Sequence, residues 1–158
     1  MRGFVVIAVL AACSSSPANV AGDYTVNLTE ETNGCMFMNW MMSKSITGVT
    51  VTITQSGSTV TAVVTGAGAD VALDAALGSN AYDGKVDGDS LDLSIQGSVP
   101  HQMGNCAFTY NSTIDATLSD DTLTGTVNYT AATNNNSDCA TIQGCKSYED
   151  FNGTRPPP

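Results

Sequence analysis

The residues with the densest potential for chemistry lie in Cys35-Met36-Phe37-Met38-Asn39-Trp40-Met41-Met42, which holds four of the six methionines and the single tryptophan. Thioethers are soft ligands that suit Cu(I). Bridging Cys35 to Cys106 would add His101 and Met103, so a copper set drawn from this chain is Met36, Met38, Met41, Met42, His101 and Met103. A cation would also be favoured against the Trp40 ring. The same residues have a packing use that accounts for all of them. Methionine fills irregular gaps, and tryptophan is a large amphipathic anchor. On that reading the segment is a loop or short helix plugging an open end of the fold; a separate alternative makes the cluster the mouth of an apolar ligand pocket, with Phe37 and Trp40 as its candidate residues. Packing is the favoured reading. No cofactor is therefore expected, with Cu(I) as the runner-up.

Other catalytic arrangements lack their partners. His101 is the only histidine, so a Ser-His-Asp triad would have to use it as base. It falls in the expected loop Val99-Pro100-His101-Gln102-Met103-Gly104, and no serine occupies a Gly-x-Ser-x-Gly elbow. The glycine-rich runs lack the Lys-Ser/Thr ending of a phosphate loop. Asp83, Asp87, Asp89 and Asp92 offer oxygen ligands for calcium, but their spacing misses the twelve-residue calcium loop. Asp-Gly and Asp-Ser are ordinary turn residues, and Asp120-Asp121 reads the same way. The chain reads as non-enzymatic, with no catalytic residue to name.

The elements that must position these residues are strands. Tyr24, Val26 and Leu28 alternate with Thr25, Asn27 and Thr29, and Val49, Val51 and Ile53 alternate with threonines. Period-two alternation of β-branched and aromatic residues marks half-buried strands. Hairpins are expected at Ser56-Gly57-Ser58, at Asp87-Gly88-Asp89-Ser90 and at Ser119-Asp120-Asp121-Thr122, each between two alternating runs. The segment from Val71 to Leu77 reads as strand or short helix. The fold class is all-β: an antiparallel up-and-down meander closing into a barrel of about eight strands, with a two-sheet β-sandwich as the alternative. A barrel of the lipocalin or avidin sort is favoured. The segment from Lys146 onward, ending in three prolines, is expected to lie against the barrel wall through Tyr148 and Phe151.

Beyond Cys13, the cysteines Cys35, Cys106, Cys139 and Cys145 form an even set suited to disulfides in an exported chain. Four cysteines allow three connectivities, which sequence does not decide. The pairing Cys139 with Cys145 closes a short loop and is favoured, leaving Cys35 with Cys106. No pair has the spacing of a zinc knuckle.

Arg2, the apolar run from Phe4 to Ala12, and Cys13 have the order of a targeting segment. Leu10-Ala11-Ala12-Cys13 resembles the bacterial lipobox. That resemblance implies acylation of Cys13 and removal of a signal peptide at 1–12; the small, polar, proline-containing composition that follows Cys13 reads as a flexible tether, giving a lipidated tether at 13–22 and a single β domain at 23–158 stapled near its C-terminal segment. The run is too short to span a bilayer as a helix. The whole chain is similar to small lipoproteins of Gram-negative bacteria, and Ser14 in place of aspartate implies the outer membrane. Without residues 1–12 the net charge is 4 − 15 = −11. Such acidity argues against nucleic acid as a partner. The expected partners are the membrane, through the N-terminal lipid, and an apolar small molecule or an envelope protein. A purely structural envelope role is the remaining alternative.

Overall fold

The computed structural model describes residues 16–156, so Cys13, its lipobox and the leader lie outside the described residues. The strands are β1 (Gly22–Asn33), β2 (Ser45–Ser56), β3 (Thr59–Thr65), β4 (Ala81–Asp87), β5 (Ser90–Ile95), β6 (His101–Met103), β7 (Cys106–Ser119), β8 (Thr122–Thr133) and β9 (Lys146–Thr154). One α-helix, α1 (Ala69–Leu77), connects β3 to β4. Every pairing is antiparallel: β1 to β5 pair in sequence, β5 pairs with β7, β7 with β8, β8 with β9, and β9 returns to β1. The result is a closed eight-stranded barrel with β6 as an additional short strand. Closure leaves the barrel no open edge, which is the stable outcome for a meander.

Alternation decides which side chains enter. Val60, Ala62 and Val64 of β3, Leu91 and Leu93 of β5, and Ile114, Ala116 and Leu118 of β7 are buried, while their intervening neighbours are largely exposed. Each fully buried Val, Leu or Ile contributes roughly 1.5–3 kcal/mol. Threonine on the outward positions keeps strand propensity while facing solvent.

The two ends of the barrel differ. At one end the tight β2–β3, β4–β5 and β7–β8 turns meet the chain entry. Val20 is fully buried there, its N–H donating to Gln55 Oε1 at 2.8 Å, and the Tyr24 hydroxyl donates to the Val20 carbonyl at 3.0 Å. Arg155 locks this end: its Nε donates to Asp121 Oδ1 at 2.9 Å, and its guanidinium lies 5.6 Å from the Tyr24 ring centroid. The stretch expected to be a tether through Gly22 is thus bound to the barrel from Ala18, whose N–H donates to the Gly88 carbonyl at 2.8 Å. The other end carries the long connections: the β1–β2 loop, α1, the β5–β6 segment and the β8–β9 loop.

Three expectations change here. The disulfides are Cys35–Cys145 and Cys106–Cys139, not Cys139–Cys145 with Cys35–Cys106. Strand register outweighs local loop closure. Asn33 faces Ser147 across the β1–β9 pair, so Cys35 leaves β1 where Cys145 enters β9; a 3-10 turn at Ser137–Cys139 delivers Cys139 to the start of β7 at Cys106. The segment beginning at Lys146 is not a strap on the wall. It is β9, hydrogen-bonded to both β1 and β8, and it closes the barrel. Its inward residues are Ser147, Glu149, Phe151 and Gly153, a mostly polar face that conceals the strand from a search for alternating apolar residues. His101 lies in a strand instead of a loop, since β6 pairs with Phe108 to Cys106 of β7.

Candidate functional site

The barrel encloses a cavity of about 570 Å³ at its loop-bearing end. That volume falls within the range of sites for small organic ligands, ~300–1,000 Å³. Its wall is apolar, formed by Val26 and Leu28 of β1, Val49, Val51 and Ile53 of β2, Leu91 and Leu93 of β5, and Ile114 of β7, among others. Its roof consists of α1 and the segment from Met36 to Trp40.

The helix is a roof because its inward positions are spaced at helical period and half of them are filled by alanine. Ala69, Leu73, Ala76 and Leu77 pack on the core, and alanine at two of these positions leaves space beneath. Gly78 ends the helix at φ 84, returning its N–H to the Asp74 carbonyl. Nine residues form a helix too short to persist alone, so its attachments matter. Ser98 N–H donates to the Leu77 carbonyl at 2.8 Å, and His101 Nε2 donates to the Ala76 carbonyl at 3.0 Å. Both satisfy carbonyls of the last turn, which have no partner within the helix. The His101 ring is also flanked by Phe108 at 5.4 Å and Tyr110 at 4.9 Å.

The second half of the roof is clamped by Asn33. Its side chain receives Phe37 N–H at 2.8 Å and donates to the Phe37 carbonyl at 2.9 Å. Cys35 is tied to β9 by its disulfide and by Ser147 Oγ, which accepts its N–H at 2.9 Å. Phe37 therefore inserts among rings, its centroid 4.6 Å from Tyr110, 5.2 Å from Tyr129 and 5.8 Å from Trp40. Trp40 stands edge-on to Tyr129 at 6.0 Å. Phe37 and Trp40 thus occupy the cavity mouth. Of the copper candidates, Met36, Met38 and His101 line the cavity, while Met41, Met42 and Met103 do not. All five of these methionines have exposed side chains, with Met38 at 90 %. His101 commits its Nε2 to the helix. Among the described residues, no group of three or more His, Cys, Asp or Glu side chains is arranged to hold a metal. Asp83 instead accepts the Thr61 hydroxyl at 2.7 Å on the outer wall.

Two carboxylates interrupt the apolar wall. Glu30 of β1 and Glu149 of β9 are register partners, directly opposite each other, both inward and both only 6 % exposed. The Tyr129 hydroxyl donates to Glu149 Oε2 at 3.0 Å, and Met41 N–H donates to Glu30 Oε2 at 2.7 Å. Burial pushes the Glu149 carboxyl up to about 7; the Tyr129 hydrogen bond opposes this shift and the neighbouring Glu30 charge adds to it. Burial also holds the Tyr129 and Tyr82 hydroxyls well above the usual phenol range, Tyr82 sharing a hydrogen bond with Ser112 at 2.9 Å. Trp40 Nε1 is buried and has no hydrogen-bond partner among the described residues.

The sequence reading missed this carboxylate pair. Glu30 was within its reach, because continuing the Tyr24, Val26, Leu28 alternation by one step places residue 30 inward. Glu149 was not, because its strand has no apolar rhythm. Among the described residues no helix is long and apolar enough to cross a membrane. No protein-family model matches the chain, and neither does any curated protein or solved structure.

Proposed function

We propose that this protein is a non-enzymatic, lipid-anchored envelope protein whose barrel binds an apolar small molecule. The observation that carries the binding half is the cavity of about 570 Å³ with its largely Val, Leu and Ile wall. A folded barrel of this size can fill its interior with side chains. Here alanines at 62, 69 and 76 border the space instead of larger residues. The exposed methionines around the mouth add an adaptable apolar rim suited to ligand entry. The anchoring half rests on the lipobox-like Leu10-Ala11-Ala12-Cys13 and, for the outer membrane, on Ser14.

The test is uptake of the neutral fluorophore N-phenyl-1-naphthylamine by the full-length chain carrying Cys13→Ser, which removes the acylation site. One equivalent should bind with enhanced, blue-shifted emission. Ala62→Trp, which directs an indole from β3 into the cavity, should weaken uptake at least about 10-fold. Absence of uptake by the parent chain would refute the binding half.

A further inference from the structure

The cavity's polar groups specify more than an apolar ligand requires. Like charges directly opposite on neighbouring strands destabilise a sheet, and a purely apolar guest would gain nothing from the Glu30 and Glu149 pair. No cationic side chain among the described residues pairs with either carboxylate, and each carboxylate makes one hydrogen bond, leaving its second oxygen without a partner there. Beside them stands a cluster of packed rings: Phe37 stacks on Trp40 and meets Tyr129 edge-on, with centroids 5.2–6.0 Å apart across the three, and Tyr129 itself touches Glu149. Carboxylates supply negative charge, and ring faces attract cations. Among the described residues, anionic and quadrupolar groups thus border one apolar space with no cationic side chain paired to them.

Taking the cavity as a small-molecule site, we propose that its ligand is an amphiphilic cation: an apolar body within the barrel and an ammonium group between Glu30, Glu149 and the rings of Phe37, Trp40 and Tyr129. A ligand of this kind brings a counter-charge that no described side chain supplies, and so turns the repulsive carboxylate pair into a chelating one. Trp40 Nε1, a buried donor without a partner among the described residues, would take an acceptor on the same ligand. The reading also gives the Tyr129 hydroxyl a role, since its hydrogen bond fixes the Glu149 carboxylate beside the ring cluster.

The experiment is displacement of N-phenyl-1-naphthylamine from the full-length Cys13→Ser chain by three probes with the same apolar body: decylamine, decanol and decanoate. At pH 8 decylamine should bind at least about 10-fold more tightly than decanol, with decanoate weakest. The preference for the amine should collapse in Glu149→Gln and in the Glu30→Gln/Glu149→Gln double variant, while decanol affinity stays within about 3-fold of the parent. The single variant keeps the test valid should the double variant not fold. Glu149 faces Glu30 from β1, Tyr129 from β8 and Tyr82 from β4, and His101 lines the same cavity from β6. Since Glu149 must be ionised to pair with the ammonium, decylamine affinity should rise from pH 5 to pH 8 and that of decanol should not. Equal affinities for the three probes, or a preference for decanol or decanoate, would overturn the cation assignment while leaving the cavity as an apolar site. Failure of all the probes and of the fluorophore would overturn both.

Discussion

Glu149→Gln should make the ligand-free protein more stable, increasingly so as pH rises. In the folded barrel the Glu149 carboxyl titrates near 7, against 4.5 for an unhindered glutamate. Between these values the folded state retains a proton that the unfolded chain has released. Stability therefore falls as pH rises through this window, by about 1.4 kcal/mol per pH unit. Over the full interval the loss is about 3 kcal/mol, complete above pH 7 and absent below pH 4.5. Glutamine carries no charge, and its amide oxygen can still accept the Tyr129 hydroxyl. At pH 4 the two proteins should differ by less than about 1 kcal/mol, the size of one altered hydrogen bond. At pH 8 the variant should lead by about 3 kcal/mol, roughly 10 °C in Tm for a domain of this size. Urea unfolding with intact disulfides, followed by tryptophan fluorescence from pH 4 to pH 8, measures the difference directly, since titrating groups not coupled to Glu149 cancel between the two proteins. An offset that stays constant with pH, or one that favours the parent chain as pH rises, would refute the buried-carboxylate reasoning. A site that costs stability in the empty protein is a common signature of a functional site.

Peptide mapping without reduction should recover Cys35 linked to Cys145 and Cys106 linked to Cys139; a Cys139–Cys145 peptide would contradict the strand register. Chain separations of 110 and 33 residues imply losses of about 5 and about 4 kcal/mol when the respective pair is replaced by alanine. Those losses should be visible as shifts in the urea midpoint. Labelled palmitate supplied to cells exporting this chain should enter the protein at Cys13, and Cys13→Ser should abolish the label and move the protein from the membrane to the soluble fraction. Label persisting in that variant would refute the lipobox assignment.

The strands from β1 to β5 and the β7–β8 hairpin were legible because one face of each is largely apolar and the other polar, rich in threonine in β1, β2, β3, β7 and β8 and in Asp, Lys or Ser in β4 and β5. A half-buried strand cannot avoid writing that alternation into its sequence. The meander followed from the short turns between them, and barrel closure from the need to leave no edge. The Met and Trp segment stood out by composition, and the structure places Met36 to Trp40 over the cavity. Apart from the short β6 strand that carries His101, what remained hidden shares one physical cause. β9 turns serine, glutamate and glycine inward along with Phe151, so its pattern does not distinguish core from surface. The β1–β9 register then determines both the Cys35–Cys145 bond and the opposition of Glu30 to Glu149, residues more than a hundred positions apart in the chain. Local composition determined the strands, the turns and the even set of cysteines. Only closure of the barrel, by pairing the last strand with the first, decided which cysteines meet and placed two carboxylates and a ring cluster around one apolar space.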